Sequence, residues 1–424
     1  MSIKNGLAQT PPMGWNSWDC FGPTVREDEV KANADYMAEK LLKFGWDTIV
    51  VDIQWYEPNA KSHGYRSNAE LVTDEYGRLL PALNRFPSAA NAAGFKPLAD
   101  YVHSKGLKFG IHILRGIPRQ AVQQNLPILN SPYHAADVAN TSSVSPWIDD
   151  MYGLDMSKEG AQAYYDSIAA LYAQWDVDFI KADDILWPYH DTEIAGLSQA
   201  IQKSGRPIVL SLSPGVDMTT DHYDHLKQNC ELFRISADFW DRWEDLKAQF
   251  ANCAMWENFT GPGCWADADM LPLGHIGIRA ERGDNRQSLF TRDEQVTLMT
   301  LWAISRSPLM FGGHLPDNDD FTLGLLTNDE VLRVLRASQN NRQLFREGEQ
   351  IAWVAQSTES NDQYLAVFNA GDVPSTVEVD LAALGSGQYA ARDLWSRTDV
   401  GTVQDKWAQE IAPHAAKFYR LRPV

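Results

Sequence analysis

A chain of 424 residues is longer than a single hydrophobic core usually supports, and 44% hydrophobic content fits a packed two-domain protein rather than a disordered one. A net charge of −19 with no cluster of Lys or Arg argues against nucleic acid, anionic membranes and polyanionic substrates. The four cysteines lack Cys-x-x-Cys or Cys/His spacing, which argues against zinc, and no apolar run reaches membrane-spanning length.

Residues 1–6 lead into Thr10-Pro11-Pro12 without the apolar core of a leader, so a cytoplasmic location is expected. Short apolar runs then alternate with amphipathic helical patterns. Met13-Gly14-Trp15-Asn16-Ser17-Trp18 reads as a first strand and its exit loop. Thr24 and Glu27 have capping-box spacing, and Val30, Ala34, Met37, Leu41 and Phe44 share a helix face that Gly45 stops. Further strands are expected at 48–52, 107–114, 177–185, 207–213, 232–238, 267–271 and 308–313. Helices are expected at 95–106, 158–175, 192–205 and 242–259, with two more opening at capping boxes Thr291/Glu294 and Thr327/Glu330.

Eight strand–helix units make a (β/α)₈ TIM barrel the economical α/β fold for residues 1–339. A doubly wound sheet would carry a glycine-rich turn after its first strand, where this chain has Trp18, Asp19 and Cys20. From residue 340 the pattern changes to short strands at 351–355, 364–368, 376–380 and 416–421, several alternating apolar with polar. That predicts an antiparallel β-sandwich domain over 340–424.

Barrel enzymes place catalytic groups at the carboxyl ends of strands. Those ends offer Trp18, Asp52, His112, Lys181 with Asp183, Ser213, Arg234 with Asp238, and Asp269. Several carboxylates interleaved with cations suit glycoside hydrolysis, in which one carboxylate attacks the anomeric carbon and another protonates the departing oxygen. The fifteen tryptophans include more indole faces than a core requires, and such faces stack on sugars. A Mg²⁺ enzyme using Asp52, Asp183 and Asp269 is a competing reading, weakened because Lys181 and Arg234 already neutralise those ligands. A silent carbohydrate-binding protein on the same scaffold is another, weakened by the presence of both Asp183 and Asp238.

Four motifs in order carry a family resemblance: Pro11-Pro12-Met13-Gly14-Trp15-Asn16-Ser17-Trp18, Lys181-Ala182-Asp183, Arg234-Ile235-Ser236-Ala237-Asp238, and the run from Gly261 to Met270. Together they resemble glycoside hydrolase family 27, the α-galactosidase and α-N-acetylgalactosaminidase (melibiase) family. The resemblance implies Asp183 as nucleophile and Asp238 as acid/base, in a reaction that retains anomeric configuration. It also implies sugar-hydroxyl contacts from Lys181, Arg234, Asp52 and Asp269, and an aromatic wall at Trp18. His112 stands where a Tyr is common, and Ser213-Pro214-Gly215 replaces a Cys-Glu-Trp loop that contacts the C2 substituent, so hydroxyl or N-acetyl at C2 stays open.

The second strand ends Asp52-Ile53-Gln54-Trp55, where α-galactosidases of the family usually have two adjacent aspartates, a residue and Trp. That pair holds the C4 and C6 hydroxyls of galactose, and Ile53 can accept neither bond. The sugar that keeps galactose's ring hydroxyls but lacks C6 is L-arabinopyranose, and the family includes β-L-arabinopyranosidases. Ile53 and Trp55 are therefore counted among the substrate-binding residues. The expected partner is a small carbohydrate, with no cofactor, no metal, no nucleic acid and no membrane, and a homo-oligomer is left open. Ordinary α-D-galactosidase activity is the alternative, ahead of α-N-acetylgalactosaminidase.

Overall fold

Eight short parallel strands form the centre of the computed structural model, which describes residues 6–385 and 387–424. They are β1 (Met13–Asn16), β2 (Thr48–Val51), β3 (Lys108–Leu114), β4 (Phe179–Asp183), β5 (Val209–Leu212), β6 (Leu232–Arg234), β7 (Trp265–Asp267) and β8 (Leu309–Phe311). Each lies beside its sequence neighbour, and β1 pairs with β8 in parallel. The ring closes between β7 and β8, where Leu271 N–H donates to Met310 O at 2.8 Å and Gly312 N–H donates to Leu271 O at 2.9 Å. Strands covered on both faces read as unbroken apolar runs, which is why Thr48–Val51 is buried throughout.

A helix follows each strand: α1 (Glu27–Tyr36), α2 (Lys96–Ser104), α3 (Glu159–Gln174), α4 (Asp191–Ser204), α5 (Tyr223–Asn229), α6 (Trp243–Trp256), α7 (Arg292–Ser305) and α8 (Asp329–Arg336). Thr291 caps α7 as its spacing predicts, its N–H donating to Glu294 Oε2 at 2.8 Å and its Oγ1 accepting from Glu294 N–H at 3.2 Å. The other two boxes fall elsewhere. Pro23 starts a tight turn over Gly22–Thr24, so Thr24 Oγ1 donates back to Phe21 O and Arg26 caps α1, its N–H donating to Glu29 Oε2 at 2.9 Å. Thr327 likewise donates back to Leu323 O, leaving Asn328 Oδ1 to accept from Glu330 and Val331 N–H at the start of α8.

Several strands are shorter than expected. The stretches 232–238 and 267–271 form strand only over Leu232–Arg234 and Trp265–Asp267, with Leu271 alone bridging to Phe311 beyond the latter. Asp269 has φ 86°, a left-handed conformation that takes the chain out of the sheet, so Asp238 and Asp269 stand on loops beyond the strand ends. The β3–α3 connection carries a small sheet of Ile117–Pro118, Ala139–Val144 and Met151–Leu154 that periodicity did not reveal.

After α8, strands β9 (Ser338–Glu347), β10 (Gln350–Ser357), β11 (Gln363–Asn369), β12 (Ser375–Asp380), β13 (Gln388–Asp393), β14 (Thr398–Gln404), β15 (Lys406–Ile411) and β16 (Ala416–Pro423) form two antiparallel sheets. Six run in the order β9-β10-β11-β16-β13-β14, and β12 pairs with β15. Val354, Val367, Val377, Tyr389 and Leu421 are among the residues of their shared core. The sandwich docks on α6 and α7, where Trp243 stacks on His414 at 3.8 Å and Thr297 Oγ1 donates to His414 O at 2.7 Å. Residues 1–5, part of the stretch read as lacking a leader, lie outside the described residues. Among the described residues no helix is long and apolar enough to cross a membrane, and all four cysteines are buried.

Candidate active site

A cavity of about 660 Å³ opens at the carboxyl ends of the barrel strands. Its lining includes Trp18, Asp52, Lys181, Asp183, Arg234, Asp238 and Asp269, named by the strand-end reading, and Ile53, singled out by its departure from the family pattern. The eight come from five of the eight strand exits, which only ring closure brings to one place.

Asp52 and Lys181 form one buried pair. Asp52 Oδ2 accepts from Lys181 Nζ at 2.9 Å and from Asn16 Nδ2 at 2.7 Å, while its backbone N–H donates to Ser17 Oγ at 3.0 Å. Burial alone would raise the Asp52 carboxyl, but the Lys181 charge, with His112 next, turns the shift downward. Burial alone would equally lower Lys181, and Asp52, Asp183 and Asp269 outweigh it, so the ammonium is held charged.

Asp183 ends β4, with Oδ2 3.2 Å from His112 Nε2 and Oδ1 accepting the Asp184 N–H at 2.8 Å. Against its burial, His112, Lys181 and that amide hold the carboxyl well below the usual carboxylate range. An ionised carboxylate lining a cavity is able to attack an electrophilic carbon. Asp184 turns away at φ 58° and pairs with Arg115 Nη2 at 3.1 Å, a structural role.

Arg234 joins the remaining two carboxylates. Its Nη2 lies 2.7 Å from Asp269 Oδ2 and 3.4 Å from Asp238 Oδ1, and Asp269 Oδ2 also accepts the Phe239 N–H at 2.8 Å. Asp238 differs from the others in having a side chain 47% exposed at the cavity, open to solvent and to an incoming leaving group. Behind it Asp267, which accepts the Asp269 N–H, is pushed up to about 6 by burial, with Asp269 adding to the shift and Arg234 opposing it.

Three expected contact residues do not reach the cavity. Trp55 is fully buried, its Nε1 donating to His112 O at 2.7 Å and its ring packed edge-on against Phe95 at 5.1 Å. The chain turns inward after Ile53, so this indole supports the barrel wall instead of facing sugar. Ser213 points into the barrel interior with Asn16, Ser211 and Asp267, leaving Pro214 and Val216 on the cavity side. His112 lies off the cavity lining and reaches it only through its bond to Asp183.

Other lining groups were not read from sequence. Asp19 lines the wall with Oδ2 buried and without a partner, and burial and the Asp269 charge raise its carboxyl well above its ordinary value. Tyr65, Trp147, Trp187 and Trp240 line the same cavity. Their loops show no periodicity, and the Asp19 signal was only its place in the β1 exit motif.

The Mg²⁺ reading finds no support in this arrangement, since Asp52 and Asp269 are taken by Lys181 and Arg234. Among the described residues one cluster has three metal-type donors within reach of each other, Asp100, His103 and Asp176. It lies outside this cavity, and Lys96 and Arg206 already pair its carboxylates.

Residues 10–121 and 153–337 match the family model described as alpha galactosidase A, and 347–421 match that of the alpha galactosidase C-terminal beta sandwich domain. A β-L-arabinopyranosidase of glycoside hydrolase family 27 from Geobacillus stearothermophilus, solved with arabinose, is 55% identical, with a TM-score of 0.96 over 98% of each chain. A Bacillus halodurans C-125 protein provisionally described as an α-N-acetylgalactosaminidase is 48% identical, with a TM-score of 0.90 over 100% of each chain. The alpha-galactosidase of Cyamopsis tetragonoloba is 29% identical over 441 residues, spanning 99% of this chain and 88% of that one.

Proposed function

This chain belongs to the alpha galactosidase A family (glycoside hydrolase family 27), and we propose that it is a retaining exo-glycosidase whose favoured substrate is a terminal β-L-arabinopyranoside. It is a glycoside hydrolase, as its family and relatives are. The observation that carries the choice of sugar is Ile53, 2% exposed, lining the cavity directly beside Asp52. A galactoside brings a C6 hydroxymethyl toward this position, and a hydroxyl left against hydrocarbon forfeits its partner at roughly 1–3 kcal/mol. Arabinopyranose keeps the ring hydroxyls and presents only hydrogens there. The 55% identity to a β-L-arabinopyranosidase supports the same reading.

In the proposed reaction the Asp183 carboxylate attacks the anomeric carbon while Asp238 protonates the departing oxygen. A glycosyl ester on Asp183 results, with inversion at the anomeric carbon. Water then attacks that carbon, Asp238 takes its proton, and a second inversion restores the starting configuration. Lys181 and Asp52 hold hydroxyls on one side of the ring, Arg234 and Asp269 on the other, and Lys181 keeps charge near the nucleophile balanced. The second reading, an α-D-galactosidase, is favoured by Asp52 itself, the first of the two aspartates used by that activity in the family.

The deciding experiment measures kcat/KM for an aryl β-L-arabinopyranoside and an aryl α-D-galactoside with wild type and Ile53→Asp. The wild type should prefer the arabinoside and the variant should shift toward the galactoside. A wild type that prefers the galactoside tenfold or more, about 1.4 kcal/mol of transition-state stabilisation, would sink the steric argument.

A further inference from the structure

The match to the family model breaks off at residues 122–152, within the β3–α3 connection. This segment is fixed, not loose. Ala139–Val144 pairs with Met151–Leu154, Asp149 pairs with Arg119 at 2.9 Å and accepts the Asn68 N–H at 3.0 Å, and Asp150 accepts from Gln54 and Tyr56. So anchored, it presents Trp147, 36% exposed, to the cavity. Tyr65, on the β2–α2 loop, bridges inward. Its ring lies 5.4 Å from Trp147, and 6.3 Å from Trp18 at an interplanar angle of 15°.

The three rings thus form one aromatic wall that starts beside the catalytic carboxylates and ends in solvent. The cavity it borders, about 660 Å³, is several times larger than a single pentose ring requires. A large indole face left in water at a cavity mouth is unfavourable unless something covers it. A pyranose has the matching chemistry: its axial C–H face is flat and apolar, while its hydroxyls project sideways to water. Stacking removes both apolar faces from solvent without stranding a polar group.

We propose that Tyr65 and Trp147 extend the Trp18 wall into an aglycone subsite for a second pyranose. The preferred substrate is then the terminal sugar of an oligosaccharide, and segment 122–152 supplies this preference. The inference rests on the glycosidase reading of the cavity and deepens it.

The test compares kcat/KM for β-L-arabinopyranosyl fluoride, whose leaving group fills no aglycone space, with that for a disaccharide ending in β-L-arabinopyranose. In Trp147→Ala and in Tyr65→Ala the disaccharide-to-fluoride ratio should fall about tenfold, chiefly through KM, and Trp147→Phe should recover most of it. A ratio within twofold of wild type in both alanine variants overturns the subsite. So does a loss confined to Trp187→Ala, which would place the aglycone elsewhere, or a wild-type dimer that Trp147→Ala dissociates at unchanged ratio. A wild type inert toward both β-L-arabinopyranosyl and α-D-galactosyl fluorides would remove the glycosidase reading and the subsite with it. A preference for the galactosyl fluoride would remove only the sugar assignment, and the same ratio is then read with the galactosyl pair.

Discussion

His112 reaches across from β3, where it is in register with Lys181, to place Nε2 3.2 Å from Oδ2 of Asp183. Its Nδ1 has no partner among the described residues, and its Nε2 faces the carboxylate as the ring's donor. One face of the proposed nucleophile is thereby held by a buried donor while the other stays open to the cavity. Replacing His112 with Phe keeps the bulk and removes the donor. The acid limb of the kcat/KM profile, where the nucleophile takes up a proton, should then move to higher pH by about 1–2 units. An acid limb that stays in place would detach His112 from the ionisation of Asp183.

The two carboxylates should respond differently to removal. Asp183→Ala leaves no atom to form the glycosyl ester and should abolish turnover of every substrate. Asp238→Ala should cost about 10²–10⁴-fold on a substrate with a poor leaving group and much less on the glycosyl fluoride, which leaves with little help from a proton. Azide should restore turnover of activated substrates in Asp238→Ala, giving a glycosyl azide of unchanged anomeric configuration by proton NMR. Equal losses on good and poor leaving groups would remove Asp238 from the acid role.

Lys181 and Asp52 also carry stability. Lys181→Met strands a buried carboxylate whose one remaining side-chain donor is Asn16 Nδ2. Breaking a buried pair in this way costs about 3–5 kcal/mol, whereas removing both charges costs far less. Thermal unfolding should show a large drop in Tm for Lys181→Met and recovery of most of it in Lys181→Met/Asp52→Asn. Additive losses in the double variant would mean that the two groups are not coupled.

The barrel and its carboxylates were legible because inner strands read as apolar runs, and a charge at the end of such a run has few structural uses. Asp52, Lys181, Asp183 and Arg234 all followed from that single signal. Trp55 did not, because beyond a strand end the sequence carries no direction: three residues after Asp52 the chain has already turned back into the core. Tyr65 and Trp147 lie on long loops, and only tertiary anchoring by Asp149 and Asp150 brings the segment bearing Trp147 to the site. Strand β14, Thr-Asp-Val-Gly-Thr-Val-Gln, is exposed along almost its whole length, so no buried face imposed an alternation that could reveal it. The resemblance reached the chemistry further than patterning did, while the substrate question came down to one departure from it, Ile53.

Asp150 links stability to pH. It is fully buried, with Oδ2 accepting from Gln54 Nε2 at 2.8 Å and Tyr56 Oη at 3.0 Å and with Oδ1 unpartnered. Burial pushes its carboxyl up to about 6. The unfolded chain releases this proton near pH 3.9, so between about pH 4 and 6 the folded state binds the proton that the unfolded state has lost. The stability this group contributes is complete below about pH 4 and is lost as pH rises through 6, an effect of up to about 3 kcal/mol. Asp184, also pushed up to about 6 by burial, acts in the same direction. In Asp150→Asn the amide oxygen can still accept from Gln54 and Tyr56, while nothing ionises. Urea unfolding at pH 4 and pH 8 should therefore find the variant more stable than wild type only at the higher pH. A difference that does not change with pH would mean that Asp150 stays ionised in the fold. Because Asp150 ties segment 122–152 to the β2–α2 loop, the same substitution should also slow proteolysis of that segment at pH 8.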